Sequence, residues 1–453
     1  MTSERRSTFA DHLADWSSRA SIEELPREAV NLIKRAFIDT IAVTLSGSQL
    51  DSSRIILDLS EEIGTGDPVA SIVGRGRKAD LLTAALANGT AAHAELFDDN
   101  NEPMISHPSA VLVSSLMALG QKHKVSGLEI LNAYLAGFEI NVGLSRQLNP
   151  GYYERGWHVT RTLGIIGATA ACCRLIGLPR EAVRHALGIA ATMASGMRQN
   201  FGTMSMALHA GLTARDAIHA ALLAGKGFRS DDETLEGRYG YFNLFTGSVP
   251  ERPPFGEDYE IIRSGLIFKP YPSGAPTHAA VDAAIELSGR LNGNTGKISK
   301  IICYVHPHNF MTLREGVPRD TLRARVNMQY CIAASLRFGR LDSDQFTMGA
   351  VEDQEVARLM AITEMRVSDA LPDNGFFPAA VDVLLQGETE ALSARYDAPL
   401  GSPPRPMSQE RMNRKFTRCA DGVISSDKAE AAMQFVLALE TKSDITALCE
   451  MLE

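Results

Sequence analysis

The chain has 453 residues, more than one hydrophobic core usually organises, so two compact units are expected. Hydrophobic residues make up 45% and charged residues 22%, an ordinary globular balance that excludes a disordered tail or a fibrous repeat. Lys and Arg number 45 against 54 Asp and Glu, a net charge of -9 spread without blocks; this speaks against a nucleic-acid partner and means that any anion site must gather its positive groups locally.

The N-terminus is polar, and no run of about 18 apolar residues follows it, so the expected location is the cytoplasm, with no membrane partner. Six cysteines without a CxxC pair read as reduced, buried thiols and offer no zinc or iron–sulfur spacing.

From about Ser21 to Gly265 the texture is helical, with Ala- and Leu-rich stretches at three-to-four spacing broken by Gly, Pro and Asn. Small residues in Leu163-Gly-Ile-Ile-Gly-Ala-Thr-Ala-Ala predict a central helix that neighbours approach closely. After Leu266 the pattern changes. Ile298–His306, Met365–Ser368 and Val381–Gln386 read as strands, while Thr277–Ser288, Arg323–Phe338 and Glu355–Ile362 read as helices, which together make a small α+β unit ending near the Pro-rich Gly401–Pro406. Helical periodicity returns after Ser408, a suitable N-cap, and over Lys428–Leu439.

Several segments carry candidate chemistry. Pro108 suits the first turn of a helix, which puts His107 at a helix start where free N–H groups favour an anion; the same residues also fit a turn capped by Asp98 and Asp99, with His107 on a backbone carbonyl. His158 likewise precedes a helix, and two such imidazoles raise the prospect of a shared proton-handling site, although each could serve structure alone. His209 and His219 lie within a helical stretch and read as packed or surface residues. Lys269 and His278 flank a proline-stiffened segment at the expected boundary between units, either a held cation or a rigid linker. Tyr330 lies on an apolar helix. His306-Pro-His308 lacks an acidic third ligand, and Gly74-Arg-Gly-Arg lacks a third glycine, so neither supports a metal or dinucleotide site.

Taken in order, Leu86–Ala94, Phe97-Asp-Asp, His107-Pro-Ser-Ala-Val, Gly156-Trp-His, Phe201-Gly-Thr-Met, Lys269-Pro-Tyr-Pro with Thr277-His-Ala-Ala, Tyr330 and Arg405-Pro-Met-Ser-Gln-Glu resemble the MmgE/PrpD family over nearly the whole chain. The resemblance implies a mainly α protein: a large all-α helical domain (residues 1–266 and 404–453) with an inserted α+β lid domain (267–403), assembled as a homodimer and working without cofactor or metal. It implies a lyase or isomerase that abstracts or returns a proton alpha to a carboxylate of a small carboxylic-acid substrate. Dehydration of a hydroxy acid leads; decarboxylation, epimerisation or non-catalytic carboxylate binding are the alternatives. Its site residues map to His107, His158, Lys269, Tyr330 and Asp98 as catalytic, and to Asp99, Thr203, Met204, Met206, Arg198, Gly274 and His278 around the substrate.

Three departures bear on the substrate. Leu96 stands where many members have an acid, Met206 where many have a pocket lysine, and Gly274 where the family's decarboxylase has a histidine; the Asn100–Ser106 stretch is also one residue longer. Exchanging an ammonium for a thioether removes a charge-assisted partner worth about 1.5–3 kcal/mol to a bound carboxylate, so a substrate with fewer carboxylates is expected. Arg198, just upstream of the loop, is the residue available to replace that charge.

Overall fold

The computed structural model describes residues 7–64, 66–307, 313 and 316–453. Its longer helices are α1 (Phe9–Arg19), α2 (Arg27–Ser48), α3 (Asp51–Ile63), α4 (Leu81–His93), α5 (Pro108–His123), α6 (Gly127–Leu148), α7 (Gly164–Leu175), α8 (Arg180–Met193), α9 (Met204–Gly225), α10 (His278–Arg290), α11 (Met328–Phe338), α12 (Gln354–Ala361), α13 (Gln409–Ala420) and α14 (Ser426–Leu437). Local chemistry sets many of the helix starts. Thr8 and Asp11 form a reciprocal capping box on α1, Asp80 accepts from the Leu82 and Thr83 N–H groups at α4, and Ser408 accepts from Arg411 N at α13.

Two hydrophobic cores follow. One joins residues from Phe9 to Phe268 with the C-terminal residues Met407 to Leu452; the other holds Tyr271 to Ala394. The first core takes in the chain as far as Phe268, and the second begins at Tyr271. In the first core α7 is buried along its length, and a Cβ on Gly167 would collide with the Gly137 carbonyl of α6, the close approach that small residues permit. α4 and α9 cross in the same way at Gly89 and Gly211, which fixes the C-terminal end of α4 beside the start of α9.

The second core packs α10, α11 and α12 against a sheet ordered β4 (Thr363–Val367), β3 (Ile298–Val305), β5 (Ala379–Leu385), β6 (Leu392–Tyr396). β3 runs parallel to β4 and antiparallel to β5, which pairs antiparallel with β6. β6 is an addition to the expected elements: five residues at a sheet edge, Leu-Ser-Ala-Arg-Tyr, carry too little apolar pattern to announce a strand. A hairpin of β1 (Ala70–Ile72) and β2 (Arg77–Ala79) is another; Gly74 and Gly76, at φ 69° and 63°, make its turn and give the Gly-Arg-Gly-Arg run its structural purpose.

Between the cores, buried Lys415 on α13 ties distant segments together. Its Nζ donates to Asp39 Oδ1 at 2.7 Å, to the Phe97 carbonyl at 2.7 Å and to the Lys269 carbonyl at 3.0 Å. Helix α13 thus holds both stretches of chain that line the cavity described next.

Candidate functional site

A cavity of about 60 Å³ opens where α4, the starts of α5 and α9, and the 269–276 segment meet. His93, His107, His158 and Lys269 line it, together with Leu96, Phe201, Met206, Gly274 and Val326. Asn100, Ile105, Tyr153 and Phe377 line both this cavity and an outer cleft of about 470 Å³.

Asp98 organises the polar side. Fully buried, its Oδ2 accepts from His93 Nδ1 at 2.9 Å and lies 3.3 Å from His107 Nδ1. Burial alone would raise its carboxyl, but the His107 and His93 imidazoles outweigh burial and hold it well below the usual carboxylate range. His107 takes the N-cap position of α5, ahead of Pro108, and its Nδ1 donates to the Asp99 carbonyl at 2.7 Å. A carbonyl only accepts, so Nδ1 bears the proton and Nε2 carries the lone pair. Burial, with Lys269 and His93 nearby, pushes His107 down to about 4 against the pull of Asp98. It is neutral at neutral pH. Both readings of the His107 segment therefore meet: the imidazole satisfies a carbonyl and lines a cavity.

The neighbouring carboxyl behaves in the opposite way. Asp99 is buried against Ser109, whose hydroxyl and backbone N–H both donate to it, and burial pushes it up to about 8. Adjacent acids thus differ in charge at neutral pH, because two imidazoles face one and a serine the other.

His158 holds the N-cap position of the short helix Val159–Thr162, and its Nδ1 lies 2.9 Å from His209 Nδ1, an arrangement in which one ring must donate. Burial, then the His93 and His209 rings, lowers His158 well below its ordinary value. Lys269 Nζ, fully buried, donates to the Leu96 carbonyl at 2.9 Å. Burial brings the ammonium down to about 8. Leu96 offers that carbonyl from a left-handed backbone, φ 55°, which costs a leucine roughly 1–2 kcal/mol.

The other expected site residues sit outside the small cavity's lining. Tyr330 points into the second core, where its hydroxyl donates to the Gln345 carbonyl. His278 faces the Ser273 carbonyl at 3.2 Å. Arg198 stacks 3.6 Å over the Tyr153 ring and donates to its carbonyl, so it backs a lining residue instead of reaching the cavity. Thr203 turns its hydroxyl back to Asn200, and Met204 is 42% exposed. His93, His209 and Tyr153 are the additions. His93 ends α4 five residues before Asp98, a spacing that could have flagged it beside the acidic pair.

Among the described residues, His93, Asp98 and His107 form a group whose ligand atoms lie within 4.8 Å of one another, near enough to hold a metal ion. With a proton on His107 Nδ1 and both Nδ1 atoms turned to Asp98, the set reads as a hydrogen-bonded chain, since a protonated nitrogen cannot ligate. His308 lies outside the described residues. No described helix is long and apolar enough to cross a membrane.

Residues 11–252 match the MmgE/PrpD N-terminal domain and residues 271–441 the MmgE/PrpD C-terminal domain. The human protein named cis-aconitate decarboxylase is 26% identical over 448 residues, covering 95% of this chain and 92% of its own length. A cis-aconitate decarboxylase of Aspergillus terreus is 24% identical over 481 residues, covering 99% and 97%, and the cis-aconitate decarboxylase-like protein oryM of Aspergillus oryzae is 26% identical over 475 residues, covering 97% and 96%. This chain is therefore an enzyme of the MmgE/PrpD family.

Proposed function

We propose that the protein is a cofactor-independent lyase that removes a proton from the carbon next to a carboxylate, with dehydration of a small hydroxy acid as its reaction. The observation that carries this reading is the buried His93–Asp98–His107 chain lining one cavity with the Lys269 ammonium. His107 Nε2 takes the Cα proton; the C–H electron pair forms the new double bond, and hydroxide leaves the adjacent carbon and takes that proton from the His107 imidazolium to become water, which returns His107 to its neutral state. Lys269 neutralises the charge that grows on the carboxylate as the carbanion develops. The Asp99 carbonyl, with the Asp98 carboxylate 3.3 Å away, keeps Nδ1 of His107 protonated and so fixes which nitrogen acts as base.

Decarboxylation is a second reading, favoured by the names of the relatives. There the C–C bond to the carboxyl breaks, its electron pair stays on the substrate carbon, and a protonated imidazole returns the proton.

A panel of 3-hydroxy acids and unsaturated acids in deuterated buffer, followed by proton NMR, tests both. The expected outcome is turnover or deuterium exchange that His107→Ala and His158→Ala abolish. Bicarbonate release from a carboxyl-labelled acid selects decarboxylation over dehydration. Absence of exchange and turnover across the panel sinks both readings, and stoichiometric iron or zinc in the active protein sinks the cofactor-independent one.

A further inference from the structure

We propose that this pocket selects an acid with a single carboxylate whose neighbouring carbon bears an apolar branch, and that Leu96, Met206, Val326 and Phe201 receive that branch. The inference rests on the proton-transfer reading above and names its substrate class.

Charge is the first ground. Lys269 is the one ammonium or guanidinium on the cavity wall among the described residues, and Lys269 already donates to the Leu96 carbonyl. Burial keeps the lining imidazoles of His107 and His158 neutral, and His93 Nδ1 is already engaged by Asp98. A second or third carboxylate would enter without a cation to replace its water, which opposes binding.

The facing wall is the second ground. Leu96, Met206 and Val326 form a separate apolar cluster, 4%, 3% and 4% exposed, with Phe201 packed against it. Met206 supplies an adaptable thioether at the place where it can meet a substrate methyl or ethyl group. At Gly274 the backbone is ordinary, φ -60°, and an added Cβ would meet its nearest neighbour, the Arg325 carbonyl, at 3.7 Å. Glycine is not demanded there by the chain; its missing side chain leaves room.

Strain is the third. Of the five non-glycine residues with positive φ among the described residues, Leu96, Ile105 and Phe377 all line this cavity, at φ 55°, 49° and 53°. Bulky apolar residues avoid this region, and the branched Ile105 most of all. Three of them held there around one cavity point to a shaped apolar site.

Among the described residues the outer cleft is lined by the acids Glu102 and Asp373, by His306, 3.9 Å from Asp373, and by Arg146, which is bound through Nε and Nη2 to Glu260 at 2.6 and 2.5 Å. The guanidinium there is thus already engaged by a carboxylate.

Calorimetric titration of the full-length protein with 2-methylbutanoate, 2-methylsuccinate and propane-1,2,3-tricarboxylate tests the proposal. The first two differ by one methyl-for-carboxylate exchange. The single acid should bind at least about tenfold more tightly than the others, the scale of one unpaired charge-assisted contact. Equal affinities, the reverse order, or no binding of any acid overturns it. Met206→Lys should move the preference toward 2-methylsuccinate by about tenfold, while Met206→Leu keeps the original order; an unmoved preference in a Met206→Lys protein that melts like the parent also overturns it. Binding in the expected order with no proton exchange in any acid would remove the proton-transfer reading and leave the selectivity standing. Faster exchange on the tricarboxylate would do the opposite.

Discussion

The two cores contribute unequally to the cavity between them. The chain up to Lys269 brings His93, His107, His158 and the Lys269 ammonium; among the described residues the chain beyond it brings Gly274, Ala275, Pro276, Leu313, Val326 and Phe377, and no titratable group. Chemistry and shape are thus carried by different parts of the chain. The reason is local: helix starts and the turn before α5 present imidazoles and backbone partners on that side.

The sharpest way to break that division is to remove the cation. Lys269→Met should lower kcat by about 10²–10³, the cost of losing one stabilising donor at the developing charge, read as initial rates on the best acid. In the parent protein kcat should fall as pH rises through about 8, because Lys269 discharges there, and Lys269→Met should lack that limb. A parent pH profile flat from 7 to 10 would remove Lys269 from the proposed step.

A smaller contrast separates neighbouring acids. Asp98→Asn should cost about 10² in kcat, since it removes the anion that fixes both imidazoles. Asp99→Asn should keep most activity and change stability by less than about 1 kcal/mol, because that carboxyl, pushed up to about 8, is neutral at pH 7, and an amide can accept from Ser109 N–H through its oxygen while its NH2 donates to the Ser109 hydroxyl. Equal losses in both variants would contradict the assignment of charge.

The smallest effect concerns the second core. Tyr330→Phe should leave kcat unchanged and destabilise the fold by about 1–2 kcal/mol, the cost of stranding the buried Gln345 carbonyl, measured by chemical denaturation. A large kcat loss without a stability change would bring Tyr330 back to the reaction.

His107 before Pro108 and His158 before its helix were both legible as sequence, because each depends on residues within a few positions. His93 was legible only in part: its spacing from Asp98 hints at it, but the turn that brings Asp98 back to it relies on Leu96 in a left-handed conformation, which apolar pattern does not announce. Tyr330 shows the reverse. Its motif matched, but its face of α11 belongs to the second core.

The sequence by itself determined the helices, their caps and the inventory of imidazoles, since capping and periodicity are short-range. Tertiary structure decided which of them meet. His158 reaches His209 across 51 positions and Lys269 reaches Leu96 across 173, and the burial that neutralises His107 and Asp99 exists only once those distant segments have closed around them.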